Sequence, residues 1–113
     1  MRIMLKSKIH RATVTEANVN YIGSITVDKV LMEKADILPG EKVMVVDNTN
    51  GNRLETYVLE GEENSGVICM NGGSAHLVNS GDLITLLAFE VTDEIKEPKK
   101  IIVDENNKFL KYL

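Results

Sequence analysis

"KADILPGEKVMVV", residues 34–46, and "SAHLVNSGDLITLL", residues 74–87, share one plan. Each has a short helical piece, then a glycine followed by an acid (Gly40-Glu41, Gly81-Asp82), then an apolar strand. Two such halves predict a small closed β-barrel with internal pseudo-symmetry, and closure also removes exposed strand edges. The fold class read from this pattern is mainly β with short helices.

The flanking segments fit that plan. "MRIMLKSKIHRATVTEANV" at the N-terminus reads as a long strand bent near Ser7. Further strand character is predicted from Val19 and Tyr21 to Ile25 and Val27, with Gly23 and Ser24 inside it. Asp28 is placed to cap a helix over "KVLMEKAD", whose apolar residues Val30, Leu31 and Ala35 recur at helical spacing. Pro39-Gly40 closes it with a turn. "EKVMVVDN" and "RLETYVLE" flank Asn50-Gly51, a two-residue hairpin signal with both central residues at positive φ. "GEENSG" is a polar turn and "VICM" a short buried strand. "NGGSAHLV" opens as a glycine-rich loop and turns into a short helix, and "GDLITLLAFEV" is a strong strand. The tail holds one strand, "KKIIV", and a turn at Glu105-Asn106-Asn107, with disorder expected at the end.

With 113 residues, 43% of them hydrophobic, the chain fits one domain whose core is built from Val, Ile, Leu and Met rather than aromatics. A net charge of −4 argues against a nucleic-acid partner, and the cations near the N-terminus read as a solvated strand face. One cysteine, Cys69, rules out an intrachain disulfide, suits a reducing cytosol and reads as a small buried hydrophobe. No signal-peptide pattern, bilayer-length apolar run or metal-ligand spacing appears, so neither a membrane nor a metal site is expected.

Gly23-Ser24 is the unusual feature. Glycine weakens a strand, and a bulge or barrel kink is the plain reading. A Ser-His-Asp hydrolase fits poorly, since there is no G-x-S-x-G elbow and only His10 and His76 are available as bases. A third reading uses the residue types directly. A serine hydroxyl attacks the carbonyl of the glycine before it, where no side chain hinders approach and strained dihedrals are tolerated. The resulting ester eliminates to dehydroalanine, and hydrolysis leaves a pyruvoyl group with release of ammonia.

"KIHRATVTEANVNYIGSITVD", "NTNGNRLETYV", "VICMNGGSAHLVNSGDLI" and "PKKIIVDENN" together resemble the pyruvoyl-dependent aspartate 1-decarboxylase family, in order and over essentially the whole chain. The resemblance implies a double-psi β-barrel assembled as a cytoplasmic homotetramer. It implies self-cleavage of the single domain, residues 1–113, between Gly23 and Ser24 into a small chain, 1–23, and a large chain, 24–113. The large chain would begin with a covalent pyruvoyl cofactor made from Ser24. It also implies decarboxylation of L-aspartate to β-alanine, for pantothenate biosynthesis, through a Schiff base on that group. A helper protein for maturation is left open.

The same resemblance assigns residues. Ser24 and Tyr57 are catalytic, Tyr57 as proton donor. Lys8, Arg53, Thr56, Gly72, Gly73 and Ser74 are expected at the substrate. Arg53 lies four residues before Tyr57 and so on the same strand face, whereas Thr56 has the opposite parity. Gly23, Ser24, His10, Tyr21, Thr56 and Asn71 are expected to take part in processing. Gly73-Ser74 departs from the alanines usual in the family's loop. His76 reads as structural or exposed, and Cys69 receives no role. Two rivals remain: a β-barrel binding module, and a homologue that keeps the fold but stays uncleaved.

Overall fold

The structure is a computed structural model describing residues 1–113. It contains nine strands, one α-helix and one 3₁₀ turn. The strands are β1 (Arg2–Thr13), β2 (Glu16–Asn18), β3 (Ile25–Asp28), β4 (Lys42–Asp47), β5 (Arg53–Gly61), β6 (Ile68–Asn71), β7 (Leu83–Thr92), β8 (Lys99–Val103) and β9 (Phe109–Tyr112). The helix α1 spans Lys29–Ala35 and the 3₁₀ turn Gly72–His76.

The strand order is β2-β6-β3-β5-β4-β7-β1-β8-β9. Only Val14 and Thr15 separate β1 from β2 in the chain. Val14 N–H donates to the carbonyl of Asp82 (2.9 Å) beside β7, and Thr15 N–H to that of Ile68 (2.8 Å) in β6. The two ends of the β2-to-β1 series are therefore joined, and the sheet closes on itself. Parallel pairs (β1–β8, β2–β6, β3–β5) mix with antiparallel ones.

The two halves foreseen in the sequence are related in space. Gly40 (φ 86°) donates its N–H to Val58 O (2.7 Å), and Gly81 (φ 91°) donates to Val14 O (2.8 Å). Each glycine uses the left-handed region to turn the chain into the next strand, β4 or β7, and these two pair with each other. Alternating inward residues (Val43 and Val45 of β4, Ile84 and Leu86 of β7, Ile25 and Val27 of β3) make a core of aliphatic side chains. Leu31, Met32 and Ala35 of α1 plug it, so Met32 takes the inward place expected for Val30, which is half-buried.

Several local expectations hold. β1 shifts register between Leu5 and Ser7, where the bend was expected, and again between Ile9 and Ala12, where Arg11 has φ 55°. Asp28 caps α1 by accepting from Val30 N–H at 2.9 Å. Three differ. Residues 19–24 are turn and bend rather than strand, since after β2 the chain turns with Tyr21 N–H on Asn18 O (3.3 Å). The β4–β5 hairpin is longer than two residues. Asp47 closes it through Asn52 O and its carboxylate holds Thr49 and Asn50 N–H, so only Gly51 needs positive φ. The C-terminus is ordered as β9 against β8, with Tyr112 Oη donating to Lys34 O (2.8 Å).

Candidate active site

Ser24 stands at the entrance to β3, whose neighbours are β5 on one side and β6 on the other. The parallel register pairs Ile25 with Val58, and the antiparallel register pairs it with Met70. One step back along β3, Ser24 therefore meets the level of Tyr57 on β5 and of Asn71 on β6. The second meeting is a hydrogen bond, Asn71 N–H to Ser24 O at 2.9 Å.

Three features set Ser24 apart. It is 2% exposed, although its neighbours Tyr21 and Ile22 are open to solvent. Its φ is +88°, a region that L-residues other than Asn and Asp rarely occupy and that costs on the order of 1–3 kcal/mol. Its hydroxyl lies 3.4 Å from Asn71 Nδ2, which also donates to Thr26 Oγ1 at 3.1 Å. Strain was foreseen on Gly23, but it falls on Ser24: Gly23 has no positive φ, and a Cβ there would meet nothing within 4 Å. The tight contact comes from the other side. Gly72, at φ 64°, sits so close that a Cβ would lie 2.9 Å from Gly23 Cα and N and 3.1 Å from Tyr21 O. The glycine-rich loop is thus pressed on the backbone just before the Gly23–Ser24 bond, and only glycine fits there.

Arg53 and Tyr57 share a face of β5, because the β4–β5 ladder runs without a register shift. Both are exposed, while Thr56 is half-buried on the opposite face. Their Cα atoms are about 13 Å apart at the usual strand rise, so Arg53 must reach along the strand to serve the same ligand. Gly73 is exposed and Ser74 half-buried on the 3₁₀ turn beside Gly72; His76 at its end is exposed, as expected. Tyr21 contributes its carbonyl to the contact with Gly72, while its side chain faces solvent.

Lys8 and His10 are not brought to Ser24 by their own chain. They lie in the part of β1 that pairs β7 and β8, and no ladder joins β1 to β3 or β6. Burial, then the charges of Lys8 and Arg11, hold the His10 imidazole below its usual pKa, so it is neutral at pH 7. Its Nδ1 is buried without a partner.

Two residues of the Ser24 cluster escaped the sequence reading. Thr26 accepts from Asn71, and Cys69 places its Sγ 3.0 Å from Asn71 Oδ1. The available signal was parity: Cys69 and Asn71 are two apart on one strand and so face the same way. No group of three or more His, Cys, Asp or Glu is gathered for a metal. No helix is long and apolar enough to cross a membrane. A surface groove of about 520 Å³, lined largely by Ile3, Val43, Met44, Phe89 and Val91, lies away from Ser24 and is apolar apart from the Lys42–Glu55 ion pair.

Fold and site together define a class: a single-domain, two-halved β-barrel with a buried, strained serine after a glycine at the edge of one strand. The fold is that of the double-psi β-barrels. A crystal structure of a rationally designed protein of that fold superposes with a TM-score of 0.54 over 76% of this chain and 95% of its own, at 22% identity. The aspartate decarboxylase family model matches residues 1–110. An aspartate 1-decarboxylase of Acetivibrio thermocellus is 59% identical over 111 residues, covering 95% of this chain and 88% of that protein. Its counterpart in Thermoanaerobacter pseudethanolicus is 56% identical and covers 95% of both chains. That of Bacillus cereus is 50% identical, covering 99% of this chain and 91% of its own. The chain belongs to the aspartate decarboxylase family.

Proposed function

We propose that this protein is a self-processing aspartate 1-decarboxylase that converts L-aspartate to β-alanine and CO2, supplying pantothenate biosynthesis in the cytoplasm. The observation that carries the reading is the state of Ser24. It is buried, held at φ +88°, hydrogen-bonded by Asn71 and preceded by a glycine on which Gly72 is packed. A residue strained in this way is suited to a reaction that relieves the strain.

In the first step Ser24 Oγ attacks the Gly23 carbonyl carbon. The C–N bond breaks, the proton passes to the freed amine, and an ester replaces the peptide. Loss of the Ser24 Hα and of the ester oxygen then gives a dehydroalanine at residue 24 and a carboxylate on Gly23. Tautomerisation and attack of water release ammonia and leave a pyruvoyl group at the start of chain 24–113. The site fits such a group: Asn71 presents its backbone N–H and its side-chain amide to residue 24, and Tyr57 stands at the same level on β5.

When formed, a pyruvoyl carbonyl supplies an electron sink for a departing α-carboxylate. The remaining tasks fall to side chains. Arg53 has the planar fork that grips a carboxylate through two parallel hydrogen bonds. Tyr57 is the proton donor to Cα. The amides of Gly72, Gly73 and Ser74 serve as carboxylate or oxyanion donors. Because β1 and β3 do not meet within a chain, the reading assigns Lys8 and His10 to a site shared between subunits of a homotetramer. The exposed apolar groove around Ile3, Phe89 and Val91 supports such contact.

The test is an intact mass of the purified protein together with β-alanine formation from L-aspartate. Two fragments divided at Gly23–Ser24, and product only from the cleaved form, are expected. An intact chain that turns over aspartate would overturn self-processing, and a cleaved chain that makes no β-alanine would overturn the activity.

A further inference from the structure

The side-chain amide of Asn71 has a donor end and an acceptor end, and each meets different partners. Its Nδ2 donates, to Thr26 Oγ1 at 3.1 Å and Ser24 Oγ at 3.4 Å, and its Oδ1 faces Cys69 Sγ at 3.0 Å. A hydroxyl both donates and accepts, so neither Ser24 nor Thr26 dictates which end of the amide turns toward it. The thiol does: its sulfur is a poorer acceptor than either hydroxyl oxygen, so the amide gains more by taking the S–H proton on Oδ1 than by turning Nδ2 toward the sulfur, and Nδ2 is thereby aimed at the serine. Its only competing acceptor is Glu16 Oε2, farther away at 3.6 Å. Burial, then the Glu16 carboxylate, push the Cys69 thiol up from its ordinary pKa, so at neutral pH the proton that makes it a donor is retained.

We infer that Cys69 is a positioning residue for self-processing: its S–H donates to Asn71 Oδ1, and this holds Asn71 Nδ2 on Ser24 Oγ. The inference rests on the self-processing reading above. An N–H at Oγ stabilises the alkoxide character that the oxygen gains as its proton leaves. With the amide reversed, a carbonyl oxygen would stand there instead and repel that charge. The role belongs to maturation and not to turnover, because Oγ is no longer a hydroxyl once residue 24 has been converted.

Cleavage of freshly purified precursor, followed over time by intact mass, separates the outcomes. Cys69→Ala removes the donor and should cleave about tenfold more slowly, the rate equivalent of one lost hydrogen bond. Cys69→Ser keeps a donor and should cleave within about threefold of wild type, since a neutral hydroxyl offers the same bond. The cleaved fraction of each should turn over aspartate with wild-type kcat. Equal slowing of Ala and Ser, or no slowing of Ala, would overturn the inference. Should Cys69→Ala fail to fold, Glu16→Gln at the exposed end of the chain of contacts decides. It removes the competing carboxylate, so it should cleave at least as fast as wild type; clear slowing would count against the donor role. A wild-type chain that never cleaves would instead sink the self-processing reading itself.

Discussion

Ser24 holds a conformation that its own side chain disfavours, and the cost is met by its neighbours. Asn71 binds its carbonyl and hydroxyl, and Gly72 closes on the residue before it. Ser24→Ala should therefore remain a single chain by intact mass and form no β-alanine, because nothing remains to attack the Gly23 carbonyl. Gly72→Ala forces a methyl to 2.9 Å from Gly23 at a φ of 64°, and should lower stability by about 1–3 kcal/mol. Denaturant melts in the uncleavable Ser24→Ala background measure that loss, and the same substitution in the cleavable chain should slow fragment formation. Tyr57→Phe keeps the ring and loses the proton. It should cleave normally, with kcat for aspartate reduced by roughly a hundredfold or more, the usual scale for general-acid loss. Undiminished turnover would remove Tyr57 from the proton-donor role.

Among the elements, the short ones depend on side chains that work twice. Asp28 ends β3, caps α1 through Val30 N–H, and holds the β5–β6 turn through Asn64 N–H (3.0 Å) and Gly66 N–H (2.8 Å). The cap was legible in the sequence because it is local. The grip on residues 64 and 66 was not, because it spans more than thirty positions. Asp28→Ala removes both, leaving the buried Gly66 N–H and the part-buried N–H groups of Val30 and Asn64 without their acceptor, and should cost about 2–4 kcal/mol by urea melt, more than a cap alone. Asn107 plays a similar part for the C-terminal turn. Its side chain accepts from Thr13 N–H (2.8 Å) and donates to Thr13 O (2.7 Å) and Gly66 O (2.8 Å). The turn at 105–107 was readable, but not that its asparagine is a buried fastener between β1 and the β5–β6 turn. The same contacts bring order to a tail that composition alone leaves loose.

For the whole molecule, the closed barrel buries charges that must be settled in pairs. Asp47 is fully buried, and one oxygen lacks any N–H or hydroxyl donor. Burial, then hydrogen bonding with Asp82, raise its pKa, while the bond from Asp47 and that from Asn79 N–H lower the pKa of Asp82. The folded pair thus keeps a proton on Asp47 that the unfolded chain releases. That stability is fully present below the ordinary carboxylate pKa and is lost as pH rises through the raised value of Asp47. The Asp82 contribution has the opposite sign: it is present above the ordinary value and lost as pH falls through its lowered one. Asp47→Asn keeps an acceptor for Thr49 and Asn50 and supplies a fixed donor, so melting temperature against pH should lose its decline between the ordinary carboxylate pKa and the raised value of Asp47. An unchanged decline would place its source elsewhere. At the same scale, if Lys8 serves a neighbouring subunit's site, Lys8→Ala and Tyr57→Phe chains co-assembled from denaturant should recover activity that neither parent assembly has.

The sequence by itself determined the alternation that makes the strands, the Gly-acid repeat that marks two halves, the Asp28 cap and the Gly23-Ser24 pair. All of these are written within a few residues, where dihedral preference and side-chain reach are local. Only the tertiary structure decided that strain sits on Ser24 rather than Gly23, that Gly72 closes on it, that Cys69 faces Asn71, and that Lys8 and His10 stand on a strand away from Ser24. These depend on which strands the closing barrel places side by side, and that is set by packing the whole core at once.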